Sequence, residues 1–219
     1  VILEEKRQRG GLSHRLQEKT FPLLTNQSRY AFRMPIGTDE VLNNFKHQEI
    51  RQFHKDWYRP ELQALIVVGD IDVNAIEKEI VAQFSGLKNP KNAPRSKSYP
   101  IALTGKNQFL AFTDPEVTQS SLQILYKQEA RKTRQLSDYK NALAKDFFIQ
   151  LCNMRLAEQT RKSATPYLAA SLSNSALVGN IETNGIQITP KPDSLQSSIN
   201  AVYYTLAQIA KHGFTNDEL

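Results

Sequence analysis

Residues 85–100 constrain the fold more than any other stretch of the chain. Gly86, Asn89, Pro90, Asn92, Pro94 and Pro100 are set among Lys88, Lys91, Arg95 and Lys97, with almost no apolar side chain between them. Proline lacks a backbone donor and drives the residue before it out of the helical region, so no long helix or central strand can cross this segment. It reads as a linker that divides the 219 residues into two blocks. The expected organisation is a first domain over 1–84, the linker at 85–100 and a second domain over 101–219.

In the first block, residues 1–20 are polar and helix-competent apart from the Gly10-Gly11 break, and residues 21–37 read as irregular. From Lys46 to Tyr58, Ile50, Phe53 and Trp57 recur at intervals of three and four, which predicts an amphipathic helix stopped by Pro60. Ala64-Leu65-Ile66-Val67-Val68 is an unbroken aliphatic run suited to a buried strand. Asp72 is placed to cap a helix carrying Val73, Ile76, Ile80 and Phe84.

The second block starts with strands. Gln108–Phe112 is short and apolar, and Ser121–Tyr126 alternates, with Leu122, Ile124 and Tyr126 on one face. A long helix is predicted from Ser137 to Thr160, with Tyr139, Leu143, Phe147, Leu151 and Met154 in one stripe. Tyr167–Ser173 and Ala176–Ile188 read as a hairpin, and a last helix presents Ile199, Tyr203, Leu206 and Ala210 to the core. The order β-β-α-β-β-α predicts an α+β fold, a two-layer antiparallel sheet with helices on one face.

Composition excludes several classes. The single cysteine, Cys152, rules out an intrachain disulfide framework or a cysteine-rich metal site, and its apolar helical neighbours make it a core thiol. No apolar run approaches the roughly 20 residues that span a bilayer. The formal charge is +6, from 28 basic and 22 acidic residues. The patches Lys88, Lys91, Arg95, Lys97 and Lys127, Arg131, Lys132, Arg134 lack interleaved stacking aromatics and a recognisable module. No nucleic-acid partner is therefore expected. The chain opens like the inside of a helix and closes on capping-box spacing at Thr215-Asn216-Asp217-Glu218, which suggests a piece of a longer protein.

No complete active site is legible from residue chemistry alone. His47, Glu49 and His54 share one predicted helix, but Glu49 lies two residues from His47 and faces elsewhere. His14 and His212 stand apart, and there is no His-Glu-x-x-His, His-x-x-Glu-His, Gly-rich phosphate loop or Gly-x-Ser-x-Gly.

Three segments carry a resemblance. Asn44-Phe45-Lys46 through Phe53, then Trp57-Tyr58-Arg59-Pro60, then Ala64 through Asp72 follow one another in the order and spacing of the pitrilysin/insulinase zinc metallopeptidases, peptidase family M16. Arg33-Met34-Pro35-Ile36-Gly37-Thr38 resembles the segment ahead of that helix, and the closing Gly213-Phe214-Thr215-x-x-Glu218-Leu219 also fits. The resemblance covers nearly the whole chain.

It implies pitrilysin-like (LuxS/MPP-like) metallohydrolase domains, each half of the protein being built from two similar ones. In such peptidases an inverted motif, His-x-x-Glu-His, supplies two Zn²⁺ ligands and a general base, and a downstream glutamate supplies the third ligand. Val1-Ile2-Leu3-Glu4-Glu5 resembles that downstream segment, with Glu5 at the ligand position. The catalytic residues would then precede residue 1, and this stretch would be inactive alone and expected to bind no zinc by itself. The parent would be a zinc metalloendopeptidase hydrolysing peptides with metal-activated water. The alternative within the family is a non-catalytic structural or substrate-binding half. Either implies a peptide or unfolded polypeptide as substrate, a second homologous half or partner subunit, and a periplasmic or cell-envelope location. Exposed strand edges would hold extended substrate by β-addition.

Overall fold

The computed structural model describes residues 2–162 and 164–218; Val1 and Leu219, the outer residues of the two end motifs, lie outside the described residues. Helices α1 (Ile2–Gln8) and α2 (Leu12–Leu24) open the chain. Two compact units follow from its contacts: residues 2–5 with 35–98, and residues 6–34 with 99–218.

The second unit is built on a three-stranded antiparallel sheet of β1 (Leu122–Glu129), β2 (Tyr167–Val178) and β3 (Ile181–Pro190), in the order β1-β3-β2. Alternation decides its faces. Leu122 and Ile124 stand opposite Ile188 and Ile186, which in turn face Ala170 and Leu172. Helices α6 (Leu136–Thr160) and α7 (Leu195–His212) bring Leu156 and Val202 into the same core, with Tyr167, Ile186 and Ile188. The Tyr167 hydroxyl donates to the Leu156 carbonyl at 3.3 Å, so the largest buried side chain leaves no orphan donor.

The predicted α+β two-layer architecture is thus present, with four departures in detail. Gln108–Phe112 pairs with no strand among the described residues; Phe109 is 86% exposed. The hairpin turns at Gly179-Asn180, later than the pattern suggests, because Gly179 has φ +63° and a Cβ there would meet the Tyr30 ring at 3.2 Å. Along α6 the predicted stripe is the wrong face: Tyr139, Leu143, Phe147 and Met154 are exposed, whereas Cys152 and Leu156 are buried. Asn153 fixes this rotation, donating to the Leu172 carbonyl at 3.0 Å and accepting from its N–H at 2.7 Å. In α7 the buried line is Ser198, Val202, Thr205 and Ile209, one residue before the predicted one. Ser198 and Thr205 tolerate burial because their hydroxyls donate to the carbonyls of Ser194 (2.6 Å) and Ala201 (3.0 Å).

Polar anchors complete this unit. Lys127 donates to the Leu23 carbonyl at 3.0 Å, to Gln108 at 2.7 Å and to Asn26, capping the end of α2, and partial burial lowers its pKa. Arg15 holds Asp114 through two bonds of 2.8 and 2.9 Å, which lowers the Asp114 carboxyl. Arg155 grips Glu218, lies over the Phe214 ring at 5.0 Å and donates to the Gly213 carbonyl at 3.1 Å. The Arg155 bonds, with the Thr215 N–H, lower Glu218 from 4.5 to about 2. A depressed carboxylate stabilises the fold above its unfolded pKa and loses that contribution as the pH falls toward its folded one. The stability gap between the natural chain and Glu218→Gln is therefore expected to be widest near neutrality and to close between about pH 4.5 and 2. Denaturant titrations across that range check it, and a gap independent of pH contradicts it.

The first unit contains α3 (Asp39–Asn44), α4 (His47–Trp57) and α5 (Val73–Phe84). Glu49 accepts from the Lys46 N–H at 2.7 Å to start α4, and Asp72 caps α5 through the N–H groups of Asn74 (2.9 Å) and Ala75 (3.1 Å). The expected buried strand is not formed. Residues 64–68 pair with no strand among the described residues, and Ile66 and Val68 are 82% and 90% exposed. An aliphatic run becomes a strand only where neighbours receive its backbone bonds. Among the described residues the side chain this unit buries is Arg59, which donates to the carbonyls of Asp56 and Pro94 (2.9 Å for the latter) and to Glu61.

Candidate functional site

Glu5 lies on α1 beside Glu4, and both are exposed. On a helix two consecutive side chains point about 100° apart, so one ligand at most would come from the pair. The histidines are dispersed and locally engaged. His14 pairs with Glu18 at 3.2 Å, His47 lies beside the Phe45 ring at 6.5 Å, and His54 stacks on Tyr58 at 4.6 Å with the planes 10° apart. His212 sits in the last turn of α7. Among the described residues no three His, Cys, Asp or Glu side chains gather where they would hold a metal. A catalytic zinc takes three protein ligands and keeps an open position. One exposed carboxylate does not meet that need, so this stretch of chain does not by itself fit a zinc centre.

Cys152 offers no substitute. It is fully buried, and burial raises its thiol pKa against the lowering effect of Arg155, so the thiolate that nucleophilic chemistry requires is disfavoured. Glu182 is likewise occupied. Burial acts to raise it, but hydrogen bonds from Gln128 and Lys145 outweigh that and leave it lowered, a structural anion between β1, β3 and α6.

Two surface features stand apart from these groups. The sheet face away from α6 and α7 carries rows such as Gln123, Gln187 and Ser171, then Leu125, Gly185 and Ser173. A Cβ on Gly185 would stand 2.8 Å from the Ser173 hydroxyl, so glycine keeps this row flat. In the first unit a cleft of about 490 Å³ opens between the end of α4 and residues 87–90, lined by His54, Lys55, Tyr58, Arg59 and Lys88 among others. Sequence reading did not find it. The contact that brings its two walls together, Arg59 to the Pro94 carbonyl, leaves no local pattern.

Comparison with known proteins agrees with this picture of a domain without its own catalytic centre. The family model described as the Peptidase M16 inactive domain matches residues 44–219. A zinc protease PQQL-like protein of Arabidopsis thaliana is 26% identical over 213 residues, 95% of this chain and 22% of its own length. The probable zinc protease PqqL of Escherichia coli is 25% identical over 220 residues, covering all of this chain and 24% of its own. The crystal structure of the first half of the periplasmic protease PqqL from Escherichia coli superposes with a TM-score of 0.85 at 25% identity, over 99% of this chain and 46% of that one. The chain spans about a quarter of the length of these curated relatives. With the inactive-domain model running from residue 44 to residue 219, this protein belongs to the M16 peptidase family.

Proposed function

We propose that this chain is the non-catalytic portion of a zinc metalloendopeptidase, comprising the end of a catalytic-type domain and the domain that follows it. The observation that carries the proposal is the inactive-domain match over residues 44–219 on a chain whose described residues gather no metal site. In this reading the division between the two domains falls within residues 85–100. The exposed aliphatic run Leu65–Val68 supports it, since such a run asks for partner strands that the described residues do not supply. Glu5 belongs to the same compact unit as residues 35–98, which supports its assignment as the third zinc ligand of that domain. The histidines and the general base would come from preceding chain.

The second unit then walls a chamber for peptide or unfolded polypeptide, closed by a second homologous half or partner subunit. Asn153 occupies the outer backbone of β2 at Leu172, which leaves β1 as the edge for strand addition. A periplasmic or cell-envelope location is supported by the likeness to the periplasmic PqqL. The 219-residue chain by itself is expected to retain no stoichiometric zinc after dialysis and to leave a quenched peptide library uncleaved. Metal analysis and a fluorescence assay check both, and metal-dependent cleavage by this chain alone would overturn the proposal.

A further inference from the structure

The cleft at the end of α4 has two walls held at a fixed separation. Arg59, only 4% exposed, donates to Pro94 at 2.9 Å, and the Glu61 N–H donates to Asn89 Oδ1 at 3.0 Å. Both bonds tie the turn after α4 to the proline-containing stretch, so the space between is preformed and its opening does not wait on a ligand. At about 490 Å³ it falls in the ordinary range for small binding sites, roughly 300–1,000 Å³.

Its lining is one-sided in charge. Lys55 stands on the α4 wall and Lys88 on the other, with His54 beside them, and no carboxylate is among the lining residues. The two nearest acids are occupied: Asp56 accepts from Gln52 at 2.7 Å, and Glu61 is bound by Arg59. The partial negative charge at the end of α4 is met by Arg59 at the Asp56 carbonyl. Among the described residues Lys55 and Lys88 have no ion-pair partner. Around these cations the lining includes the apolar surface of Tyr58, Pro60, Leu87 and Pro90, with the Tyr58 ring held in place by its stack on His54.

We propose that this cleft binds an acidic segment of a polypeptide, a carboxylate lying between Lys55 and Lys88 and a neighbouring apolar side chain against Tyr58, Leu87 and Pro90. Two ammonium groups lining one cleft with no carboxylate beside them favour an anion, and the aromatic and proline surface favours a peptide over a bare ion. The assignment rests on the reading of the parent as a peptidase, because it names the kind of polypeptide that protein would retain.

The test uses the 219-residue chain and a fluorescein-labelled peptide of alternating Glu and Leu, with a Gln-for-Glu counterpart, read by fluorescence anisotropy at low salt. The acidic peptide is expected to bind and its Gln counterpart to bind at least fivefold more weakly. Lys55→Gln with Lys88→Gln should weaken the acidic peptide about five- to tenfold, the range two partly exposed charge pairs supply. Arg131→Gln with Lys132→Gln removes the same charge from the second unit and should change nothing. Lys55→Arg with Lys88→Arg should restore binding, which separates lost charge from a damaged fold. Equal losses in the two double Gln variants, or equal binding of both peptides, overturn the proposal. So does an oligonucleotide that displaces the peptide at equal concentration, since that would make the cleft a general polyanion site. These outcomes are independent of hydrolysis: a longer protein that binds zinc and cleaves, yet shows no Lys55/Lys88 dependence, loses the cleft and keeps the peptidase.

Discussion

Leu156→Ala is expected to destabilise the second unit by about 2–5 kcal/mol, whereas Met154→Ala, on the same helix, should cost less than about 0.5 kcal/mol. Leu156 is fully buried and packs with Tyr167, Ile186, Ile188 and Val202, so truncation opens a cavity where α6, α7 and the sheet meet. Its neighbours are poorly placed to refill that space. Tyr167 is pinned by its hydrogen bond to the Leu156 carbonyl, and Ile186 and Ile188 sit in the central strand with partners on both sides. Met154 is 59% exposed, and its loss removes little buried area. Urea unfolding of the two variants beside the natural chain measures both numbers. Equal effects would mean that α6 presents its Tyr139–Met154 stripe inward and that the packing described above is wrong.

That contrast also marks where sequence patterns stop being informative. α4 and α5 were legible because each has one apolar spacing and a clear boundary, Pro60 after α4 and the Asp72 cap before α5, the latter used by the structure. β1 was legible because its alternation has one solution. α6 carries apolar residues on two faces, and periodicity alone cannot rank them. The choice is made by Asn153 bonding the edge of β2, a contact between residues 19 apart in sequence. Ser198 and Thr205 escaped notice for a related reason: serine and threonine read as polar in a pattern, but each satisfies itself against its own helix. The runs at 64–68 and 108–112 have strand composition without strand partners among the described residues, and composition cannot report a missing neighbour. The candidate site was less legible than the fold. Glu5 was visible only through resemblance, since an exposed glutamate on a polar helix has no distinguishing chemistry. The cleft was not visible at all, because Lys55 and Lys88 come to line one cleft only through the fold of residues 87–94 against the end of α4.

The exposed face of α6 and the aliphatic run of the first unit bear on the same question, which is what surrounds this chain in the whole protein. Apolar surface of this kind is normally covered. Relatives several times longer than this chain, one of them with a first half of which it fills 46%, give the covering surface a source. On the reading proposed above, the chain would contribute scaffold, substrate surface and Glu5 as one metal ligand, with the rest of the zinc centre supplied from elsewhere in the longer protein.

Zinc content and peptide hydrolysis of the longer protein, measured beside its Glu5→Gln variant, test this most directly. Removing a group in direct contact with the metal should cost more than the roughly 10–100-fold that follows loss of an outer partner. The account predicts about one zinc per catalytic-type domain and metal-dependent cleavage in the natural protein, with both lost in the variant while its thermal unfolding matches that of the zinc-free natural protein. A longer protein that holds no zinc and cleaves nothing, even with a partner half supplied, would contradict it and make this chain part of a purely structural subunit. Full zinc and full activity in Glu5→Gln would contradict the ligand assignment.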